Sequence, residues 1–346
     1  QAGFFSGKLL INQGGWPQIV AFWQAALQPT LTPDFLRLTL EATFVTLAYG
    51  ISGVVFSLVL GSLFGLFASE LWWTSRWRRY PRLQRLPWVI GRALLAVPRG
   101  IHELLWGLLF INIFGLDPII GILAIAIPFS ANIAKIFAEM LDETDRRPYL
   151  ALLNSGTSPL KAMAYTIIPA AAADLVSYAF YRFECSIRAA AVLGVIGAGG
   201  LGYQILLSMQ TLNYNETWTL FYALLLLSGL ADAWSGQVRQ RLGRVDVACE
   251  DFGSVAHNRP PTQPHFDAVL RRSMLAVLLL TPLSLLYLRP TWSLLWSPRT
   301  GMLLADMADR AWPLQLSWAG AQELFRLSQL TLAMAILAAT LAAMGG

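Results

Sequence analysis

Charge is what this sequence has least of. Of its 346 residues only 13% are Asp, Glu, Lys or Arg, while 56% are hydrophobic and the mean hydropathy is +0.53. Soluble domains carry about 25% charged residues, so an ordinary soluble enzyme is excluded, and the same hydrophobicity excludes a disordered chain. Cysteine is almost missing: Cys185 and Cys249 have no partner spacing and give neither a disulfide framework nor a metal site. The three histidines, His102, His257 and His265, form no ligand constellation. No G-x-x-x-x-G-K-[ST] occurs, so ATP has no phosphate-binding loop here, and no nucleophile sits at a recognisable elbow. The chain opens on Gln1 without a signal-peptide pattern and stops at Gly346, inside an apolar stretch begun at Leu330. A crossing needs about 20 apolar residues, so these 346 residues are expected to be a window of a longer chain.

What is present is a series of long apolar runs: 38–68, 88–114, 119–138, 162–181 and 218–234, then a shorter one at 274–288 and the last from Leu330. In lipid a spanning segment must satisfy its own backbone, which makes helices the expected form. The expectation is therefore an all-α membrane protein. Thirteen Trp and ten Tyr suit the two interfacial belts. Arg76, Arg78, Arg79, Arg82, Arg85 and Arg92 crowd the stretch 72–92, and short Arg-rich loops stay cytoplasmic. Residues 1–37 are then external and Asp117 is outside, while the loop 139–161 and Arg239, Arg241 and Arg244 are cytoplasmic. The net charge of +5 fits this orientation signal rather than a nucleic-acid surface. Residues 243–272, with Pro260, Pro261 and Pro264, read as a polar cytoplasmic linker.

An internal repeat adds to this. Leu38-Thr39-Leu40 and Gly53 recur as Leu330-Thr331-Leu332 and Gly345, an offset of 292. Gly7-Lys8-Leu9-Leu10 and Trp16-Pro17 likewise match Gly301-Met302-Leu303-Leu304 and Trp312-Pro313. The division expected is an external segment (1–37), a first transmembrane domain of about five spans (38–242), the linker (243–272) and the opening helices of a second unit (273–346).

The loop after the third span carries the most specific pattern. Pro148 suits the first turn of a short helix through Tyr149 and Asn154, Gly156 suits its C′ end, and Ser158-Pro159 can open a second. The product is a helix, a turn and a helix, a knob that fits a partner's groove. The spacing from Gly156 to Pro169 resembles the cytoplasmic loop of binding-protein-dependent ABC importer permeases, Glu-Ala-Ala-x3-Gly-x9-Ile-x-Leu-Pro. Leu150-Ala151-Leu152 stands here in place of Glu-Ala-Ala, and Thr166-Ile167-Ile168 in place of Ile-x-Leu. Further runs are similar to phosphonate-importer permeases of the type that also serves phosphite: Lys135-Ile-Phe-Ala-Glu139, the stretch from Tyr181 to Ala190, Val192 to Gly202, and Asp232 to Arg239, with Arg99 and Glu103.

That resemblance implies the transmembrane domain of a type I ABC importer and a division of labour. A periplasmic or lipid-anchored binding protein delivers the phosphonate, and two permease units, fused or homodimeric, form the path. Two copies of a cytoplasmic ATPase hold the ATP and Mg²⁺, with no cofactor in this chain and no nucleic-acid partner. The ATPase contacts implied are Arg146, Arg147, Tyr149, Asn154, Ser155, Gly156, Thr157, Ser158, Pro159 and Lys161. The same architecture with another solute, such as methionine, is an alternative.

Gly197, Gly199, Gly200 and Gly202 formally match G-x-G-x-x-G, with Glu216 at the spacing of a ribose-binding acid. Alternating strand–helix units are missing around them. Glycines in a membrane segment instead allow close backbone approach or a re-entrant break, so 189–202 reads as a gate-side element or as plain helix packing. Ionisable residues within spans default to function. Arg99 and Glu103 in the second span, and Glu184, Ser186 and Arg188 at the outer end of the fourth, are candidate path residues, because guanidinium offers a fork suited to oxyanions. Local pairs four residues apart are the plainer reading of Arg99–Glu103 and Glu184–Arg188, and the one preferred for Lys135–Glu139. Asp232 is placed to anchor the loop arginines. A rival from another class is an intramembrane lipid-processing enzyme using His102, Glu103 and Asp174 as acid–base groups.

Overall fold

Helix α2 (Pro33–Ala68) sets the frame of the molecule, a computed structural model that describes residues 15–76, 81–250, 268–311 and 317–345. Thr32 is extended, Pro33 occupies the first turn with its missing N–H, and Asp34 sits beside the helix N-terminus. Its 36 residues make a rod of about 54 Å, longer than a hydrocarbon core of about 30 Å. Gly53, Ser57, Gly61 and Gly65, four apart, form a ridge of small side chains along one face, all buried. Helix α6 (Ile119–Glu143) lies directly on that ridge. A Cβ added at Gly53 would stand 2.8 Å from Ile125, and one at Gly61 2.6 Å from Ile133.

The other helices follow in chain order. Helices α3 (Glu70–Arg76) and α4 (Pro81–Gly100) replace the Arg-rich loop expected at 72–92. The span expected at 88–114 is not one straight helix: Leu86–Gly100 of α4 and α5 (Glu103–Phe114) meet at 84°. The break falls where His102 is extended and its Nδ1 accepts from Leu104 N at 3.2 Å, starting α5 as a new helix. After α6 come the short helices α7 (Arg147–Asn154) and α8 (Pro159–Tyr165), then α9 (Ile167–Leu193). The α8–α9 junction bends by 56°. Pro169 accounts for it, since its ring would clash with the carbonyl of Tyr165 in a continuous helix. A π-helical turn (Gly194–Ala198) leads to α10 (Gly200–Gln210), and α11 (Tyr214–Glu250) runs on into residues expected as linker.

Helix α12 (Ala268–Leu288), expected to open a second unit, packs within the same compact body as α2, which spans Gln28–Leu294. Trp234 Nε1 donates to Ser273 Oγ at 2.9 Å, and Leu270 joins Phe180, Val238 and Leu242 in an apolar cluster. A second unit holds α1 (Trp16–Ala25), α13 (Pro298–Ala311) and α14 (Trp318–Gly345). The described residues contain no strand. Among the described residues five helices are long and apolar enough to cross a membrane, or seven spans if each bent pair counts as one, and these cover every apolar run read from the sequence. Arg78, Arg79, Pro260, Pro261, Pro264, His257, His265, the Gly7–Leu10 half of the repeat and Trp312-Pro313 lie outside the described residues.

Substituting Gly61 by Val tests the seam. The added methyls collide with Ile133 and the Ser130 carbonyl, and overpacking of this kind costs about 1–3 kcal/mol. A thermal midpoint in detergent several degrees lower is expected, whereas Gly229→Val, at a glycine with open space around it, leaves the midpoint within error.

Candidate functional site

The expected knob is present. Helix α7 ends in a Schellman turn: Thr157 N donates to Leu152 O and Gly156 N to Leu153 O, both at 3.1 Å, with Gly156 at φ +87°. Only glycine adopts that angle without strain. Ser158 is extended and Pro159 begins α8. The inner face of this hairpin is anchored: Tyr149, Ala162 and Met163 are buried with Leu71, Leu141, Ile167 and Ala171. Its outer face carries Arg147, Leu150, Asn154, Ser155, Gly156, Ser158, Leu160 and Lys161, all exposed, with Thr157 and Pro159 half-buried beside them. Tyr149 is thus an anchor rather than a contact residue, and its buried hydroxyl has no hydrogen-bond partner among the described residues.

Asp142, at the end of α6, ties this hairpin to the rest. Its Oδ1 accepts from Ser69 Oγ at 2.6 Å and Leu71 N at 3.3 Å, and its Oδ2 from Glu70 N at 3.0 Å and Arg92 Nη2 at 3.3 Å. One carboxylate thereby caps α3 and pairs with α4. Arg146 turns the same way, donating to Asp142 O at 3.1 Å and pairing with Glu70 at 3.2 Å. It belongs to the anchorage of the loop, not to its tip. We call this the loop end of the molecule; the opposite, far end holds Asp117, whose Oδ1 accepts from Ile119 N at 2.9 Å and Thr291 N at 3.2 Å.

Within the spans, Glu184 and Arg188 pair at 2.8 Å, as their four-residue spacing allows. They do not mark an outer helix end, because α9 continues to Leu193. Glu184 also takes Arg239 of α11 at 3.5 Å, and Arg239 reaches Asp232 at 3.7 Å. At 1.5 Å per residue Glu184 stands about 26 Å along α9 from Ile167, so Arg239 reaches up into the span instead of staying in a loop. Ser186 is fully buried and donates back to Phe183 O at 2.6 Å, which places it in helix packing. Arg182 reaches α6: its Nε donates to Tyr178 OH at 2.8 Å and its guanidinium lies 5.1 Å from the Phe129 ring.

Arg99 and Glu103 do not form the expected pair, because the 84° bend falls between them. Glu103 lies 3.5 Å from His102 instead, and Arg99 sits half-buried in the last turn of α4. Lys135 and Glu139 do pair, at 3.6 Å. The acid–base group proposed for a lipid-processing enzyme is not assembled. Glu103 is one turn from Gly107, which abuts Leu193 and Ile196, whereas Asp174 is about 28 Å from Leu193 along α9.

The glycine cluster makes a reversal. Gly197, Gly199 and Gly200 have φ of +99°, +91° and +75°, and Gly202 packs against the backbone of Ala191 and Gly194. Leu201 N donates to Thr46 Oγ1 at 2.9 Å, fastening the start of α10 to α2. Gly197 also lines a far-end pocket of about 150 Å³ with Tyr49, Leu116 and Asp117. Asp142, Glu70, Arg92 and Arg182 were not legible as site residues. The partners of Asp142, Glu70 and Arg92 lie on other helices, and only the spacing of Arg182 four residues after Tyr178, on the same helix, offered a local signal.

Residues 83–242 match the model of a protein family described as binding-protein-dependent transport system inner membrane component. The chain is 26% identical over 238 residues to the phosphite transport system permease protein PtxC of Stutzerimonas stutzeri, covering 69% of this chain and 82% of that one. It is 28% identical over 244 residues to the putative phosphite transport system permease protein HtxC of the same organism, covering 70% and 82%. Over 152 residues it is 31% identical to the phosphate-import permease protein PhnE of Mycolicibacterium smegmatis, covering 44% of this chain and 29% of that one. Among solved structures, an inward-facing form of the MetNI methionine ABC transporter matches with a TM-score of 0.53 at 18% identity, covering 61% of this chain and 99% of that one. The likeness shows the fold, the transmembrane domain of a type I ABC importer.

Removing the carboxylate of Asp142 tests the anchorage. Asp142→Ala takes the carboxylate partner from Arg92 and frees three donors at the α2–α3 junction, and breaking such a part-buried pair costs about 3 kcal/mol. Tryptic cleavage after Arg146 is expected to quicken by on the order of tenfold, read on gels against the unchanged protein.

Proposed function

We propose that this chain, whose residues 83–242 match the model of binding-protein-dependent transport system inner membrane components, is the permease of an ATP-driven importer for phosphonate or a related phosphorus oxyanion such as phosphite or phosphate. It is a non-catalytic, multi-pass inner-membrane subunit. In this reading the loop 146–161 seats on a cytoplasmic ATPase, two copies of which hold the ATP and Mg²⁺, and a periplasmic or lipid-anchored binding protein delivers the solute at the far end. The loop end is cytoplasmic and residues 1–37 begin outside. Residues 38–242 act as one permease unit and 273–346 as the start of a second, whose helix α12 packs back on the first and which completes the path by fusion or by pairing of two chains. Arg99, Glu103, Glu184 and Arg188 handle the anion, and the glycine reversal at 197–202 lies beside the gate.

The observation that supports coupling best is the two-faced hairpin. Its inner side is fixed to α3, α4, α6 and α9 through Asp142 and the apolar cluster around Tyr149, so a push on the exposed side moves helices and is not lost in a slack loop. The oxyanion reading is supported by the names of the phosphite and phosphate relatives and by arginines inside spans, where charge is costly. Methionine has only the fold of a distant neighbour behind it.

Two measurements check this. Leu150→Asp with Leu160→Asp places charge on the exposed apolar face, and recovery of the ATPase with the tagged permease should fall by about tenfold (two separated contacts of about 0.7 kcal/mol each give that factor); full recovery would return the hairpin to an ordinary turn. In vesicles loaded with the assembled transporter, labelled phosphite uptake should be competed by excess phosphonate or phosphate and left unchanged by methionine.

A further inference from the structure

Two arginines from two different spans share one buried carboxylate. Arg188 Nη1 holds Glu184 Oε1 at 2.8 Å, and Arg239 Nη2 holds Oε2 at 3.5 Å, so each oxygen faces its own guanidinium. Glu184 is 8% exposed, but the side chains of Arg188 and Arg239 are 54% and 34% exposed. The carboxylate is covered and the cations are open. Among the described residues their remaining donors are poorly used: Arg188 Nη2 reaches only Cys185 Sγ at 3.6 Å, and Arg239 reaches exposed Asp232 at 3.7 Å. A guanidinium has five N–H donors in a fixed fork, so both have capacity for a second anion. Arg239 also lines a cleft of about 360 Å³ together with Tyr181, Tyr178, Ser177, Asp174 and Glu143. Its guanidinium lies 5.9 Å from the Tyr181 ring, which limits its swing.

We propose that Arg188 and Arg239 form the transit site for the transported oxyanion and that Glu184 is a built-in stand-in for it. This rests on the oxyanion-permease reading above and adds the pair of residues and the exchange. A carboxylate bridging two guanidiniums presents two oxygens from one atom, as does one edge of a tetrahedral phosphorus oxyanion. When solute arrives it takes the open donors, and Glu184 loosens toward Cys185 and Arg188 alone. When Glu184 reclaims Arg239, the anion is released into the cleft, where Asp174 and Glu143 discourage it from staying. A closed structural pair would need no open donors, no cleft beside the arginine and no second cation on the same carboxylate.

The test uses the complete transporter in vesicles with phosphite as the probe. Arg239→Gln and Arg188→Gln each remove a donor fork, and each should raise KM for phosphite uptake by about tenfold. Glu184→Gln removes the competitor and leaves both forks, and should lower KM by several-fold while slowing the maximal rate, because the anion is held too long. Opposite signs for Glu184→Gln and Arg239→Gln support the exchange. Shifts of the same sign, or unchanged KM with only a lowered thermal midpoint, overturn it in favour of a structural triad. If Arg239→Gln fails to assemble, Arg239→Lys keeps the charge without the fork: a several-fold higher KM supports the proposal and an unchanged KM overturns it. A wild-type transporter that moves no phosphorus oxyanion would instead overturn the oxyanion reading itself.

Discussion

Everything else in the large unit depends on how closely α2 and α6 can approach. In lipid there is little hydrophobic drive between helices, and association comes from packing and from polar contacts across the interface. The ridge of Gly53, Ser57, Gly61 and Gly65 provides the packing, with Ile125, Ile133 and Phe137 set into the spaces a side chain would fill. That register fixes the ends as well. It brings Ser69, one residue beyond α2, to Asp142 near the end of α6, and from Asp142 the contacts fan out to α3, α4 and the hairpin. At the far end the same helix presents Thr46 to the start of α10 and Tyr49 to the ring of contacts around Gly121.

The seam explains why the α4–α5 bend is tolerated. Spanning backbone that leaves a helix must be satisfied by protein or water. At the bend His102 accepts from Leu104 N and Trp106 Nε1 donates to Pro98 O, so the groups freed by the break are taken up locally. The glycine reversal is satisfied in the same manner by Thr46 on α2. Both irregular stretches are braced by the rigid pair, and Gly107 of α5 also packs against Ile196 of the π-helical turn.

Much of this was legible in the sequence and some was not, for identifiable reasons. The apolar runs located every candidate span, because hydropathy over a crossing length is a strong and local signal. The hairpin was legible down to its capping residues, since Pro148, Gly156 and Pro159 each impose a backbone condition that needs no partner. The bend between Arg99 and Glu103 was missed because the run 88–114 is long enough for one crossing, and the break is set by the extended backbone of the capping His102. Glu184 was assigned to the wrong level because its second partner, Arg239, comes from another helix, 55 residues further along the chain and beyond the glycine reversal. Asp142 was invisible for a related reason: in the sequence it is one acid among Asp142, Glu143 and Asp145, and only folding selects which of them meets α3 and α4.

The two charge clusters differ in a way that matches their places in the molecule. Around Asp142 the donors are backbone N–H groups, a serine and one arginine, all aimed at two oxygens, and the carboxylate has little capacity left. Such a saturated node is stiff, because moving any partner leaves a part-buried acceptor short of hydrogen bonds. Around Glu184 the surplus is on the cationic side, with two guanidiniums sharing one acid and facing an open cleft. A node with spare donors can exchange partners at low cost, since the group that leaves is replaced by one of the same charge. On the permease reading proposed above both kinds have a use: a stiff joint at the loop end where a partner would push, and an exchangeable one where an anion would pass. The sequence supplies them with the same few residue types, and the difference lies in whether the partner is backbone, fixed by helix geometry, or a long side chain free to let go.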